Sequence, residues 1–165
     1  NMTNQCVQAV NFNCPGQIVI AGATEAVHKA CDRLKEAGAK RAILLPVSAP
    51  FHSTLMQPAA DRLKEVLESV EIVDAKIPVV ANVNAKPETK ADEIRSQLVL
   101  QAASPVLWED SVRRMMNDGV DTFVEVGPGK VLCGFIKKVD RSYAPLNVED
   151  MESLEKSLAY LKEVR

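Results

Sequence analysis

The chain has 165 residues, of which 47% are hydrophobic, and its 20 Lys and Arg residues nearly balance 22 Asp and Glu residues, for a formal net charge of −2. This length suits about one domain with a packed core. The charge excludes the basic footprint of a nucleic-acid or anionic-membrane binder. The longest apolar runs are too short to cross a bilayer, and the first ten residues do not have the pattern of a signal peptide.

The cysteines give no metal-binding pattern. No C-x-x-C pair occurs, and no histidine stands at ligand spacing from the four cysteines, which are Cys6, Cys14, Cys31 and Cys133. Scattered cysteines of this kind are typical of small buried side chains. We therefore expect no metal site and a reduced, cytoplasmic protein.

Strand and helix signals alternate from residue 17 onward. The first three segments predict a β-α-β unit made of a strand, a helix with Thr24 as N-cap and a second strand, over 17–22, 24–39 and 40–47. Residues before 17 contain little that could start a domain, and this unit has too few strands to bury its own faces. The chain is therefore expected to begin in the middle of a larger domain.

The second part of the chain continues the alternation. Periodicity and breaker residues predict helices over 53–70, 91–104, 105–119, 127–139 and from 148 onward. They predict strands over 77–83, 121–126 and 144–148. Pro105 is expected in the first turn of its helix, and Asn147 is expected to cap the last one. The fold class is α/β, with mainly parallel strands.

The stretch SAPFHSTLM, residues 48–56, places a histidine where the helix over 53–70 begins. Partial positive charge at a helix N-terminus disfavours an imidazolium, and a neutral imidazole can accept a proton. His52 is thus a candidate general base, with a surface or capping role as the alternative. The other histidine, His28, lies among charged residues of a helix and is expected to face solvent.

Three polar features carry weaker signals. Asn11, Asn13 and Gln17 surround a Pro-Gly turn, where they serve either the turn itself or a polar ligand. Gln101 lies in the last turn of the helix predicted over 91–104, where it is either a polar residue of the helix end or one whose free main-chain carbonyl accepts an imidazole N–H. EVGPGKVL, residues 125–132, departs twice from the phosphate-loop pattern and predicts instead a tight strand-to-helix turn.

No recognisable nucleophile accompanies the candidate base, and a hydrolase that uses one of the chain's other serines is a further alternative. The elbow pattern G-x-S-x-G occurs nowhere in the chain.

Five ordered blocks give the sequence a resemblance to a known family. These blocks are VNFNCPGQIVIAG, LPVSAPFHSTLMQPAADRL, IPVVANV, SPVLWEDSV and FVEVGPGKVLCGFIKK. Together they resemble the C-terminal half of the malonyl-CoA:acyl carrier protein transacylases of fatty acid biosynthesis. The N-terminal half of such an enzyme, with its nucleophile elbow, oxyanion segment and malonyl-binding arginine, has no counterpart here.

The resemblance implies a fold and a reaction. The fold is an α/β-hydrolase-like large subdomain with an inserted ferredoxin-like small one, so that residues 1–46 form the rear of the insert and residues 47–165 the C-terminal part of the large subdomain. The reaction moves a malonyl group from coenzyme A to the phosphopantetheine thiol of acyl carrier protein through an acyl-serine. No cofactor is implied beyond the coenzyme A thioester that serves as substrate, and the implied partners are acyl carrier protein and the missing N-terminal half.

The resemblance also implies residue roles. His52 matches the catalytic histidine, and Gln101 matches the residue whose main-chain carbonyl orients that imidazole. Asn11, Asn13 and Gln17 match a segment near the coenzyme A and pantetheine entrance.

Phe51, directly before the histidine, is expected to crowd an α-methyl group and so favour malonyl over methylmalonyl units. The alternative function is a non-catalytic fragment or domain that binds coenzyme A or carrier protein; the 165 residues alone are expected to be inactive.

Overall fold

The computed structural model describes residues 6–164. Within this range, six helices and six strands follow one another in a mixed α/β order. The strands are β1 Val7–Cys14, β2 Gln17–Gly22, β3 Val79–Ala81, β4 Lys86–Glu88, β5 Val124–Val126 and β6 Leu146–Val148. The helices are α1 Thr24–Glu36, α2 Gln57–Glu68, α3 Ala91–Gln101, α4 Trp108–Asn117, α5 Val131–Val139 and α6 Met151–Glu163, with a 3-10 turn, Thr54–Met56, just before α2.

The first compact unit comprises residues 6–13 and 17–108. Strands β1 and β2 pair across a tight Pro-Gly connection in which Gly16 has a φ of 76°. A Cβ atom at Gly22 would come within 2.0 Å of the Cys6 carbonyl oxygen, so only glycine allows β2 to end this close to the start of β1. Strands β3 and β4 form an antiparallel pair with Val80 opposite Pro87. The start of α3 is held by Asp74, whose carboxylate accepts the Ala91 N–H at 2.9 Å.

The second compact unit comprises residues 14–16 and 109–164. Strands β5 and β6 are parallel, with Glu125 opposite Asn147, as the connection through α5 requires. Val112 and Ile136 are buried in its core. This division of the chain differs from the predicted subdomain boundary after residue 46, which stays a prediction.

The fold confirms the α/β class and most of the predicted element order. The strand predicted over 40–47 is absent: the described residues offer this segment no neighbouring strand, and its apolar side chains Ile43, Leu44, Leu45 and Val47 are exposed. A hydrophobic run specifies a strand only where a partner strand supplies the hydrogen bonds. The parallel arrangement holds for β5 and β6 but not for β3 and β4.

Other predicted details are wrong at element ends. Residues before 17, in which the sequence indicated little that could start a domain, contain β1. The helix predicted from Pro105 begins at Trp108, because Val106 is engaged in a bridge to Asn11. The last helix is capped by Asp150 rather than Asn147: the Asp150 carboxylate accepts the Ser153 N–H at 2.8 Å, and the Ser153 hydroxyl lies 3.0 Å from the Asp150 N–H in a capping box.

Candidate functional site

His52 lies in a tight backbone turn immediately before the 3-10 turn and α2. Its φ of 61° is in the left-handed region, which is costly for a residue with a Cβ atom. Ser53 closes this turn: its side chain is buried, its hydroxyl donates to the Pro50 carbonyl at 2.7 Å, and its oxygen accepts the Leu55 N–H at 3.3 Å. The sequence therefore presents the imidazole from a locally fixed and strained loop.

The His52 ring meets the end of α3. Its Nδ1 lies 3.2 Å from the main-chain oxygen of Gln101, the last residue of that helix. A carbonyl oxygen only accepts hydrogen bonds, so Nδ1 of the neutral ring carries the proton in this contact. The lone pair is then on Nε2, at the other side of the imidazole, where it can accept a proton from a substrate or nucleophile.

The other predicted site residues lie on two elements. Phe51, next to the histidine, is 49% exposed. Asn11 and Asn13 are half-buried on β1, where Asn11 forms a parallel bridge with Val106, and Gln17 is exposed at the start of β2. The structure thus joins His52 directly to Gln101, and it engages the backbone of Asn11 in strand pairing.

Residues that the sequence did not single out hold the His52 loop. Ser53 is one, and Gln8 on β1 is another, because its side-chain oxygen accepts two hydrogen bonds from Thr54. The role of Ser53 could have been found from the sequence, because serine directly before a helix is a common N-cap. The role of Gln8 could not, since 46 residues separate it from Thr54.

The GPGK segment in the second unit is a strand-to-helix turn. Gly127 and Gly129 have φ values of 138° and 86°. The amides that a phosphate would need are already used: the Glu125 carboxylate accepts the N–H groups of Leu132 and Cys133 at 3.1 and 2.8 Å, and Glu149 accepts that of Gly129 at 2.9 Å. The predicted turn agrees with this geometry.

Burial and hydrogen bonding oppose each other at Glu125. Burial alone raises the pKa of the carboxyl group, but the backbone hydrogen bonds from Cys133 and Leu132 outweigh it and hold the pKa below its usual value. Burial, together with the neighbouring Glu125 carboxylate, raises the pKa of the Cys133 thiol to about 11. This cysteine is therefore a structural side chain at neutral pH.

Residues 6–164 contain neither a metal-binding cluster nor a membrane-spanning helix. No group of three or more His, Cys, Asp or Glu side chains is arranged to hold a metal ion there. No helix in the same range has the length and apolar character needed to span a membrane.

Comparison with known proteins defines the family. Residues 2–157 match the acyl transferase domain family. The chain belongs to this family, and its fold is that of the α/β acyltransferases.

Two relatives show which members of this family the chain is similar to. The chain is 50% identical over 157 residues to the malonyl CoA-acyl carrier protein transacylase of Bacillus subtilis, covering 95% of this chain and 50% of the relative. It is similar to the crystal structure of the same kind of enzyme from Clostridium perfringens, with a TM-score of 0.93 and 45% identity over 98% of this chain and 51% of that one.

A third similarity includes a partner protein. A type II polyketide synthase acyl carrier protein has been solved in complex with its malonyl-transacylase, and this chain matches that structure with a TM-score of 0.92 and 47% identity, over 94% of this chain and 50% of the other. The chain spans about half the length of the curated relatives that it matches.

Proposed function

We propose that this chain contributes the general base, and the carbonyl that orients it, to a malonyl-CoA:acyl carrier protein acyltransferase. The observation that carries the proposal is the 3.2 Å contact between His52 Nδ1 and the Gln101 main-chain oxygen. This contact fixes the tautomer in which Nε2 accepts protons, and it does so with a neutral partner in place of the aspartate of a catalytic triad. The names of the relatives supply the substrates.

In the proposed reaction, His52 moves one proton back and forth. Nε2 takes the proton of a serine hydroxyl as the oxygen attacks the malonyl thioester, and the imidazolium returns the proton to the departing coenzyme A thiolate. The ring then takes the proton of the carrier protein's pantetheine thiol, whose sulfur attacks the acyl-serine, and it protonates the serine oxygen that leaves. The thioester already activates the acyl group, so we propose that no cofactor is needed.

The serine comes, in this proposal, from the part of the acyltransferase domain that the chain does not span. Three observations support it: the chain matches about half of each relative, it contains no nucleophile elbow, and the apolar run 43–47 is exposed with no strand beside it among residues 6–164. Exposed apolar runs of this kind are ordinarily covered by other parts of a fold or by a partner. The N-terminal half of the enzyme is thus the proposed first partner, and acyl carrier protein the second.

Substrate contacts are proposed for Phe51, Asn11, Asn13 and Gln17. Phe51 is exposed directly beside His52, where its ring is suited to limit the size of the acyl group. Asn11 and Asn13, half-buried on β1, and Gln17 on β2 offer amides for the coenzyme A and pantetheine arm. The four cysteines, all within the described residues, form no disulfide, which supports the proposed cytoplasmic location.

The test uses a protein of full family length. In what we call the completed chimera, the half of the Bacillus subtilis relative that this chain does not match is placed before residue 1. We expect the completed chimera to transfer malonyl from coenzyme A to acyl carrier protein, and His52→Ala to lower kcat by about 1,000-fold or more. Wild-type rates in His52→Ala would show that the base lies elsewhere. Binding of coenzyme A or carrier protein without transfer would favour the alternative of a non-catalytic binding chain.

A further inference from the structure

We propose that Gln8 is a positioning residue that holds the His52 loop in register with Gln101. This inference rests on the proposed function, because Gln8 affects catalysis only if His52 is the general base. The geometry of the tether, however, depends only on contacts within the first unit.

The tether consists of two hydrogen bonds to one oxygen. Gln8 Oε1 accepts the Thr54 N–H at 2.8 Å and the Thr54 hydroxyl at 3.1 Å. Thr54 lies two residues after His52, at the start of the 3-10 turn, where an N–H has no partner within the helix. A residue far away in sequence therefore satisfies this amide and fixes the backbone just after the imidazole.

The same strand also holds the segment that follows Gln101. Val106 donates its N–H to the Val10 carbonyl at 2.8 Å and accepts the Phe12 N–H at 2.9 Å. Gln8 and Val10 are two residues apart on β1, which is about 7 Å along a strand. One strand thus binds both sides of the contact between His52 and Gln101, so that it sets the distance between the ring and the carbonyl.

The strained backbone makes this support necessary. A non-glycine residue in the left-handed region persists only where its surroundings determine it. The turn at His52, with φ of 61°, is anchored on one side by the bonds between Ser53 and Pro50 and on the other by the bonds between Thr54 and Gln8. Loss of the second anchor lets the loop relax and moves the ring away from the carbonyl.

The first experiment observes the ring directly by nitrogen-detected NMR of histidine in the completed chimera. The His52 signals are those that vanish in His52→Gln. We expect wild type to show a slowly exchanging Nδ1–H. We expect Gln8→Ala to lose that signal, whereas Gln8→Glu, which keeps an acceptor, retains it. Gln57→Ala is the matched control, since in the described part of the chain the Gln57 side chain hydrogen-bonds to Asp61 within α2. An unchanged Nδ1–H in Gln8→Ala would overturn the proposal.

The second experiment measures malonyl transfer by the same variants. We expect Gln8→Ala to lower kcat roughly 10- to 100-fold with KM for malonyl-CoA nearly unchanged, because a displacement of about 1 Å costs up to 100-fold. Gln8→Glu should restore most of the rate. Thr54→Val removes one of the two donors and leaves the sequence of β1 unchanged, and it should show a smaller loss. This variant tests the proposal should Gln8→Ala not fold. Wild-type kcat in both Gln8→Ala and Thr54→Val would contradict the proposal.

The two readouts separate this inference from the proposed function. If the wild-type completed chimera transfers no malonyl group, the proposed function fails, while the Nδ1–H signal still tests the tether. If His52→Ala keeps the wild-type rate, the role of His52 as the base fails, while loss of the Nδ1–H signal in Gln8→Ala would still support the tether.

Discussion

The left-handed backbone at His52 predicts that glycine is a more stable replacement than alanine at this position, the reverse of the usual order. His52→Ala and His52→Gly both remove the hydrogen bond to Gln101, so the difference between them isolates the backbone term. At a φ of 61°, alanine bears a strain of about 1–2 kcal/mol that glycine avoids. Glycine loses about 0.5–1 kcal/mol more conformational entropy on folding. We therefore expect His52→Gly to be more stable than His52→Ala by about 0.5–1 kcal/mol.

The assay is equilibrium urea unfolding of the completed chimera, with the free energy of unfolding obtained by linear extrapolation. His28, on the exposed face of α1, is the matched control. There the order should reverse, with His28→Ala more stable than His28→Gly by about 1 kcal/mol, because glycine disfavours a helix interior. If alanine is the more stable replacement at both positions, the reasoning that His52 is held in a strained conformation is refuted.

Three further predictions concern other parts of the chain. Cys133, whose pKa is raised to about 11, should resist iodoacetamide at pH 8, whereas the half-buried Cys31 should be alkylated. Peptide mass spectrometry measures both, and equal labelling would contradict the burial of Cys133. Glu125→Gln should destabilise the fold by about 1 kcal/mol at pH 7. Because the pKa of Glu125 is lowered in the folded state, the stability difference between wild type and Glu125→Gln is present above the unfolded pKa of about 4.3 and should disappear as pH falls through the folded pKa. A difference that stays constant in urea titrations down to pH 3 would contradict this prediction. Phe51→Ser should raise turnover of methylmalonyl-CoA relative to malonyl-CoA by about 10-fold, and an unchanged ratio would remove Phe51 from the selectivity argument.

Local signals in the sequence were sufficient for most helices and for the class of fold. The period of apolar residues located α1, α2 and α6, because each helix has one side that packs and one that faces solvent. The prediction of a strand over 40–47 was wrong for a reason that local sequence does not contain. An apolar run is compatible with a strand, but hydrogen bonds to a neighbouring strand are what make it one.

The candidate site could be predicted only as far as its residues carry a recognisable pattern. His52 at the start of a helix and Gln101 at the end of another were accessible to sequence reasoning, and the structure joins them through one hydrogen bond. The positive φ of His52 had no signal, because only a few per cent of residues other than glycine adopt one and no local motif marks this position. The tether from Gln8 to Thr54 links positions 46 residues apart, and no local rule relates such positions.

Radiolabelled malonyl-CoA tests most directly the claim that this chain provides the base but not the nucleophile. The 165-residue chain and the unmatched half of the Bacillus subtilis relative are produced as separate polypeptides, mixed, incubated with the label and separated under denaturing conditions. We predict that covalent label appears only in the mixture, on the relative's half, and that His52→Ala in this chain abolishes it. Label on the 165-residue chain itself, or full labelling of the relative's half in the presence of His52→Ala, would contradict the account.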